Sequence, residues 1–357
     1  MSMLAEAVEV VIGVDTHKHT HTAAVVDART GGVLARATVP ADPAGYQALI
    51  ELAEQHSQLR AWALEGTGSY GAGLTRHLAE RDELVIELDR PTRPARRAGA
   101  KSDPIDAERA ARDALARTRL AAPKTGPERA ALQMRLTARR AAIEAAADAQ
   151  RQLHALVVTA PEPLRARFRG QTTTAMITTA ARLRPAGDLQ TATAATVLRE
   201  LARRIRYLHT EAAGHQTAIR GIVRAWRPDL LALPGVGPIV AATVLAAWSH
   251  PGRCRNDAAF AMLAGAAPIP ASSGQTVRHR LNRSGNRQLN RALHTIVLSR
   301  LHYDPATQAY AQRRTAEGKT AREIKRCLIG GLSVLRPGWP GRGSPVALGD
   351  GLVAEPL

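Results

Sequence analysis

The sequence predicts an α/β domain at the N-terminus followed by a mostly helical remainder. Three observations carry that expectation. Apolar strand-like runs with short turns fill residues 8–40, strand and helix patterns then alternate to about residue 117, and beyond residue 125 only helical spacing remains. At 357 residues the chain is long enough for two or three domains with real cores.

VEVVIGVD, HTAAVVDA and GVLARATV each read as a strand, with Arg29-Thr30-Gly31-Gly32 as the second turn. YQALIELAEQH has helical spacing, LRAWALEG returns to strand, LTRHLAERD is a helix, ELVIELD a strand, and PIDAERAARDALAR a helix. Three hairpin-linked strands followed by alternating helices and strands form the plan of an RNase H-like sheet, although periodicity alone fits other three-layer α/β folds.

The next region, 125–226, carries two long runs of alternating three- and four-residue apolar steps. The first uses Leu132, Leu136, Ile143, Ala146, Leu153 and Val157, with Arg139 and Gln150 at two seam positions. The second uses Leu198, Leu201, Ile205, Leu208, Ala212, Ile219, Ile222 and Trp226, with His215 as its one break. Such narrow stripes suit coiled-coil pairing, either with each other as a hairpin or with another subunit; an ordinary buried helix face also fits. The stretch between them, PEPLRARFRGQTTT to RLRPAGD, reads as a mobile connection.

From residue 227 to 330 a mostly α domain is expected. LLALPGVGPIVAATVLAAW has the form of a helix-hairpin-helix, whose turn at Gly235 and Gly237 would point backbone N–H groups at a DNA phosphate; it also fits a plain helix–helix turn. After CLIGGLS the tail, 331–357, is rich in Pro and Gly and is expected to form neither helix nor core.

Composition narrows the partners. A formal net charge of +18 predicts a polyanion, with nucleic acid first, since neutralised phosphates supply affinity without sequence readout. Biased codon usage would explain Arg in place of Lys, but not the shortage of Asp and Glu. An aromatic content of 3% argues against base-stacking platforms. Two cysteines, Cys254 and Cys327, cannot build a disulfide framework or a zinc site alone and are expected to be reduced thiols in a cytoplasmic protein. The N-terminus lacks a signal-peptide pattern and no apolar stretch is long enough for a membrane span.

Four acids stand out. Asp15 and Glu65 end hydrophobic strands, and Asp103 and Asp106 open a helix. Brought together they would resist ionising, a conflict that a hard divalent cation, Mg²⁺ or Mn²⁺, removes while also holding phosphate oxygens. Each also has a duller reading: Asp103-Pro104 fits a helix cap, Glu65 a cap ahead of Gly66, and Asp15 a turn. His17, His19 and His21 alternate, but would share a face only if the strand ran through a turn, so a histidine metal cluster is not expected. Downstream, Ser272 and Ser273 lie among Arg278, Arg280, Arg283, Arg287 and Arg291 with no acid nearby. Arginines can clamp a phosphate beside a serine nucleophile, or merely hold DNA near a Ser-Ser-Gly turn.

The motifs GVDTHK, ALEGTGSYG, KSDPIDA, LPGVGPIVAATVLA, SSG followed by RSGNRQLNRAL, and EGKTAREIKRCL, spanning roughly residues 8–330, resemble insertion-sequence transposases related to the pilin-gene invertase. The resemblance implies a RuvC-like domain over 8–124 with its Asp-Glu-Asp-Asp set at Asp15, Glu65, Asp103 and Asp106, a coiled-coil region over 125–226, and a transposase domain over 227–330. It implies Mg²⁺ at the acids and a serine that attacks DNA and becomes joined to it: Ser273 first, Ser272 second and Ser284 last. The implied partners are double-stranded donor and target DNA, a structured noncoding guide RNA and further copies of the chain, in a nucleoid-associated setting in the cytoplasm. Two departures accompany it: His19 stands where similar sequences usually carry an acid, and the tail replaces a helix, as in a frame-shifted or truncated copy. A metal-dependent nuclease using water and a non-catalytic remnant of a decayed element are the competing expectations.

Overall fold

The computed structural model describes residues 3–88, 103–118, 120–250, 252–254, 256–267, 269–270, 279–280, 282 and 285–332. It divides into two compact units, Met1–Thr125 and Gly126–Leu357.

The first unit follows the anticipated alternation. After a short helix α1 (Leu4–Ala7) come β1 (Val10–Thr16), β2 (Thr20–Asp27) and β3 (Val33–Pro40), then α2 (Pro43–Glu54), β4 (Arg60–Glu65), α3 (Ala72–Ala79), β5 (Val85–Leu88) and α4 (Asp103–Ala116). The sheet order is β3-β2-β1-β4-β5, antiparallel from β3 to β1 and parallel from β1 to β5. Successive side chains of a strand face opposite ways, so both faces of the central strands must be apolar if both are covered. They are: Val11, Ala24, Ala61 and Ala63 pack on the alanine face of α4, while Ile12, Val14, Trp62 and Leu64 pack on α2 and α3. The result is three layers.

One residue sets how closely α4 approaches. A Cβ at Gly13 would sit 2.0 Å from the Ala107 carbonyl oxygen and 2.6 Å from the Ala111 nitrogen. A glycine within a strand permits this backbone-to-backbone packing, and the buried Ala107, Ala110, Ala111 and Ala114 complete it.

The second unit is mainly helical, with α5 (Pro127–Thr159), α6 (Glu162–Arg165), α7 (Thr173–Ala181), α8 (Leu189–Trp226), α9 (Pro238–Trp248) and α10 (Asp257–Leu263). A two-stranded antiparallel ribbon, β6 (Ile269–Pro270) with β7 (His279–Arg280), precedes α11 (Arg287–Tyr303), α12 (Pro305–Ala316) and α13 (Ala321–Gly331). The long helices α5 and α8 pair with each other. Leu132 clusters with Ile219 and Val223, whereas Leu153 and Val157 cluster with Leu198 and Ala202, so the two run antiparallel.

Two expectations are corrected here. Ile143 is 39% exposed, and Ala142, Ala146 and Ala149 form the α5 seam around it. The small side chains let the helix backbones approach, a gain that a count of large apolar residues overlooks. The stretch between α5 and α8 is built structure rather than a mobile connection: α6, a 3₁₀ turn at Ala166–Phe168 and α7 bury Leu164, Phe168, Ile177 and Leu183 against both helices. These anchors are spaced without regular period among arginines and threonines, which concealed them.

The segment before the glycine turn is also 3₁₀, Pro228–Ala232, and leads into the buried apolar helix α9. Neither Cys254 nor Cys327 forms a disulfide among the described residues. Among the described residues no helix is long and apolar enough to cross a membrane. The tail expectation, beyond Leu332, lies outside the described residues.

Candidate functional site

The site grows from the carboxyl ends of β1 and β4. These neighbours are parallel, with Val14 opposite Leu64, so Asp15 and Glu65 leave the sheet at the same edge. The Thr16 hydroxyl donates to the Glu65 carbonyl at 3.1 Å and fastens the two strand ends. Gly66 then turns with φ +65°, a conformation that favours glycine, and lets the chain fold back toward α3. Because α4 rides on Gly13, its first turn arrives beside the same edge, bringing Asp103 and Asp106.

Asp15, His17 and Asp103 form the tightest group, with one ligand atom from each lying within 4.8 Å of the others. His17 Nε2 is 3.2 Å from Asp15 Oδ2 and 3.6 Å from Asp103 Oδ1. Glu65 and Asp106 stand outside this group but act on it electrostatically. Burial chiefly pushes the Asp15 carboxyl above its ordinary range; His17 opposes the rise, and Asp103 and Asp106 add to it. Burial also raises Glu65, helped by Asp15, Asp106 and Asp113 and opposed by Arg117. Asp106 accepts a hydrogen bond from Arg109 Nη1 at 3.0 Å.

Burial, with neighbouring carboxylates, hinders ionisation of Asp15 and Glu65, a conflict that a divalent cation relieves, so the residues fit one. His17 is the member that sequence reasoning set aside. Its signal was local: β1 ends at Thr16, and in extended chain residues two apart project to the same side, which puts His17 with Asp15. The other histidines go elsewhere. His19 is exposed, and His21 is buried, stacked on Tyr46 at 5.6 Å, with Nδ1–H donating to its neighbour's carbonyl, Thr20 O, at 3.0 Å. A turn at 17–19 separates them, so the three share no face.

In the second unit, Ser272, Ser273, Arg278, Arg283 and Ser284 lie outside the described residues, as does the side chain of Arg280. The chain between the paired strands β6 and β7 carries the first three of them. Arg287 opens α11 and is exposed; Asn286 caps that helix by accepting from the Gln288 and Leu289 amides at 3.0 Å each. Gly235 adopts φ +78°, and a Cβ there would lie 3.1 Å from the Ile296 carbonyl of α11. Arg300 Nε donates to the Pro234 carbonyl at 2.9 Å, so this turn is pinned to α11. Gly237 has open space around it and starts α9, whose first turn receives no side-chain cap.

Comparison with known proteins follows the same division. Residues 12–160 match a family model described as a transposase, of the DEDD type found in IS110 elements, and residues 228–312 match the transposase IS116/IS110/IS902 family. A Streptomyces coelicolor relative, the insertion element IS110 uncharacterized 43.6 kDa protein, is 32% identical over 133 residues, covering 36% of this chain and 33% of the relative. The chain thus matches about a third of that curated protein's length.

Proposed function

We propose that the chain, whose residues 12–160 and 228–312 match models of IS110-family transposases, acts as a site-specific DNA recombinase of an insertion sequence, cutting and rejoining strands under RNA guidance. The observation that carries the reading is the acidic group at the shared edge of β1, β4 and α4. Its RuvC-like character rests on the sheet order together with acids at the ends of adjacent parallel strands.

Asp15 and Asp103 would hold a divalent cation, Mg²⁺ or Mn²⁺, with Glu65 and Asp106 completing the set and His17 beside them. When bound, such an ion offsets the charge that develops on a phosphate in transfer. The protein's own work is to keep the carboxylates together and partly desolvated, so that a phosphate is drawn in only along with the cation. In the assembled complex Ser273, or Ser272, attacks the scissile phosphorus. The Oγ–P bond forms, the bond from phosphorus to a deoxyribose oxygen breaks, the serine proton leaves to solvent and the departing oxygen takes one up. Arg278, Arg280, Arg283 and Arg287 flank the serines in sequence and would hold the phosphate backbone. Gly237, opening an uncapped helix, would add backbone N–H donors in the manner of a helix-hairpin-helix, with Gly235 shaping the turn. A guide RNA and further copies of the chain complete the assembly, with acids from one copy and serine from another sharing a site.

A second reading, a metal-dependent nuclease using water, is favoured by the acidic group alone, which needs no serine. One experiment separates them: full-length protein, DNA carrying the element's ends, the flanking noncoding RNA and Mg²⁺, followed by denaturing gels. A covalent protein–DNA adduct is expected, lost in the Ser272→Ala/Ser273→Ala double variant and in Asp15→Asn. An adduct that persists without both serines overturns the assignment, and cut DNA without an adduct favours water.

A further inference from the structure

The helix α8 carries an arginine row that the acidic site leaves unexplained. Arg199, Arg203 and Arg206 at one end and Arg220 and Arg224 at the other fall on one flank, with about four turns, neutral on this flank, between the two groups. The buried seam of the same helix, Leu198, Ala202, Ile205, Ala212, Ile219 and Val223, lies beside that flank, fixing it as a side of the α5–α8 hairpin. Of the two acids of α8, Glu211 projects away from this flank with Arg204, and Glu200 borders it one turn before Arg203 without pairing with it among the described residues.

A solvated helix face ordinarily mixes signs, because like charges one turn apart destabilise it. This flank carries five arginines and, at its border, the single acid Glu200. Arg203, Arg206, Arg220 and Arg224 are exposed, and none of the five side chains makes a hydrogen bond or ion pair among the described residues. Arg199 is partly buried, and its Nε has no acceptor among the described residues. Planar guanidinium forks match phosphate oxygens, and from Arg199 to Arg224 the row extends about 38 Å, close to one turn of B-form DNA.

We propose that the Arg199–Arg224 flank of α8 is a docking surface for the phosphate backbone of double-stranded DNA, built from none of the residues of the acidic edge or the serine segment. It rests on the DNA-processing reading above but acts through binding alone. The chemistry is sequence-independent: each phosphate neutralised releases counterions, so affinity through this surface must fall steeply with salt.

The test compares full-length protein with two triple variants. One removes the row, Arg203→Gln/Arg206→Gln/Arg220→Gln. The other removes three exposed arginines elsewhere in the same unit, Arg165→Gln/Arg167→Gln/Arg204→Gln. Binding to a 30-base-pair duplex of arbitrary sequence, read by fluorescence anisotropy across salt concentrations, should lose about 2.7 from its log–log salt slope in the row variant and less than about 1 in the other. Equal losses, or none in the row variant, overturn the proposal. A hairpin RNA runs in parallel; if only RNA binding falls, the assignment to DNA is overturned. A measurement on unmodified protein guards against misfolding: DNA should protect Arg203, Arg220 and Arg224 from phenylglyoxal, read by mass spectrometry, and no protection overturns it. Strand cutting is scored separately. Protein that binds through the row and never cuts removes the recombinase reading but keeps the surface, whereas protein that cuts with the row unprotected does the reverse.

Discussion

Gly13→Ala is the sharpest perturbation of the first unit, because what it strikes is backbone. The added Cβ would lie 2.0 Å from the Ala107 carbonyl oxygen, 2.6 Å from the Ala111 nitrogen and 3.0 Å from the Ala111 Cβ. No rotamer relieves such contacts, so α4 must retreat from β1 by roughly 1 Å, in a core that is close-packed throughout. Overpacking ordinarily costs about 1–3 kcal/mol, and with main chain as the obstacle the upper end, about 3 kcal/mol, applies. For a unit of this size that corresponds to a melting point lower by roughly 10–15 °C. Because α4 also carries Asp103 and Asp106, the same retreat should loosen the acidic group and weaken Mn²⁺ binding. Differential scanning calorimetry and a Mn²⁺ titration on the same sample check both effects. A variant melting within about 2 °C of the parent, with unchanged Mn²⁺ affinity, would refute the idea that this glycine seats the helix.

Other expectations follow from single residues. Gly214 sits exposed within α8 with nothing around its Cβ position, so Gly214→Ala should stabilise the protein by about 0.5–1 kcal/mol, visible as a higher melting point. Arg60 and Glu83 form a largely buried ion pair, and Trp62 Nε1 also donates to Glu83 at 2.8 Å; Glu83→Ala leaves the guanidinium only Ser57 O at 3.2 Å and Glu54 at 3.6 Å and should cost about 1.5–3 kcal/mol in urea unfolding. Asp15 and Glu65 have folded-state pKa values raised above their ordinary ones. Their contribution to stability is therefore present at acid pH and lost as pH rises through the raised values. In chelator at pH 7, Asp15→Asn should melt above the parent, with the gap closing toward about pH 4; a variant melting below the parent at pH 7 contradicts the burial argument.

Much of the first unit was legible in its residues. The Val, Ile and Ala runs marked every main strand, and Arg29-Thr30-Gly31-Gly32 marked the turn between β2 and β3. That Asp15 and Glu65 end strands could be read directly, whereas their shared edge depends on β1 and β4 being parallel neighbours, which no local pattern states. His17 was discounted because alternating histidines suggested a cluster of three, and the turn after Thr16 separates them. Within the hairpin, Ile143 outscored Ala142 on hydrophobicity, yet close helix packing selects the smaller side chain. The link from α5 to α8 misled for the opposite reason: Leu164, Phe168 and Ile177 are few and irregular, and only tertiary packing shows that they close the end of the hairpin.

Central to the proposed function is a divalent ion held by Asp15 and Asp103 at the edge shared by β1, β4 and α4. Electron paramagnetic resonance of Mn²⁺ titrated into full-length protein measures this without DNA, RNA or catalysis. A bound ion is expected in the parent and is lost in Asp15→Asn and in Asp103→Asn. Binding that is absent in the parent, or unchanged in both variants, would contradict it.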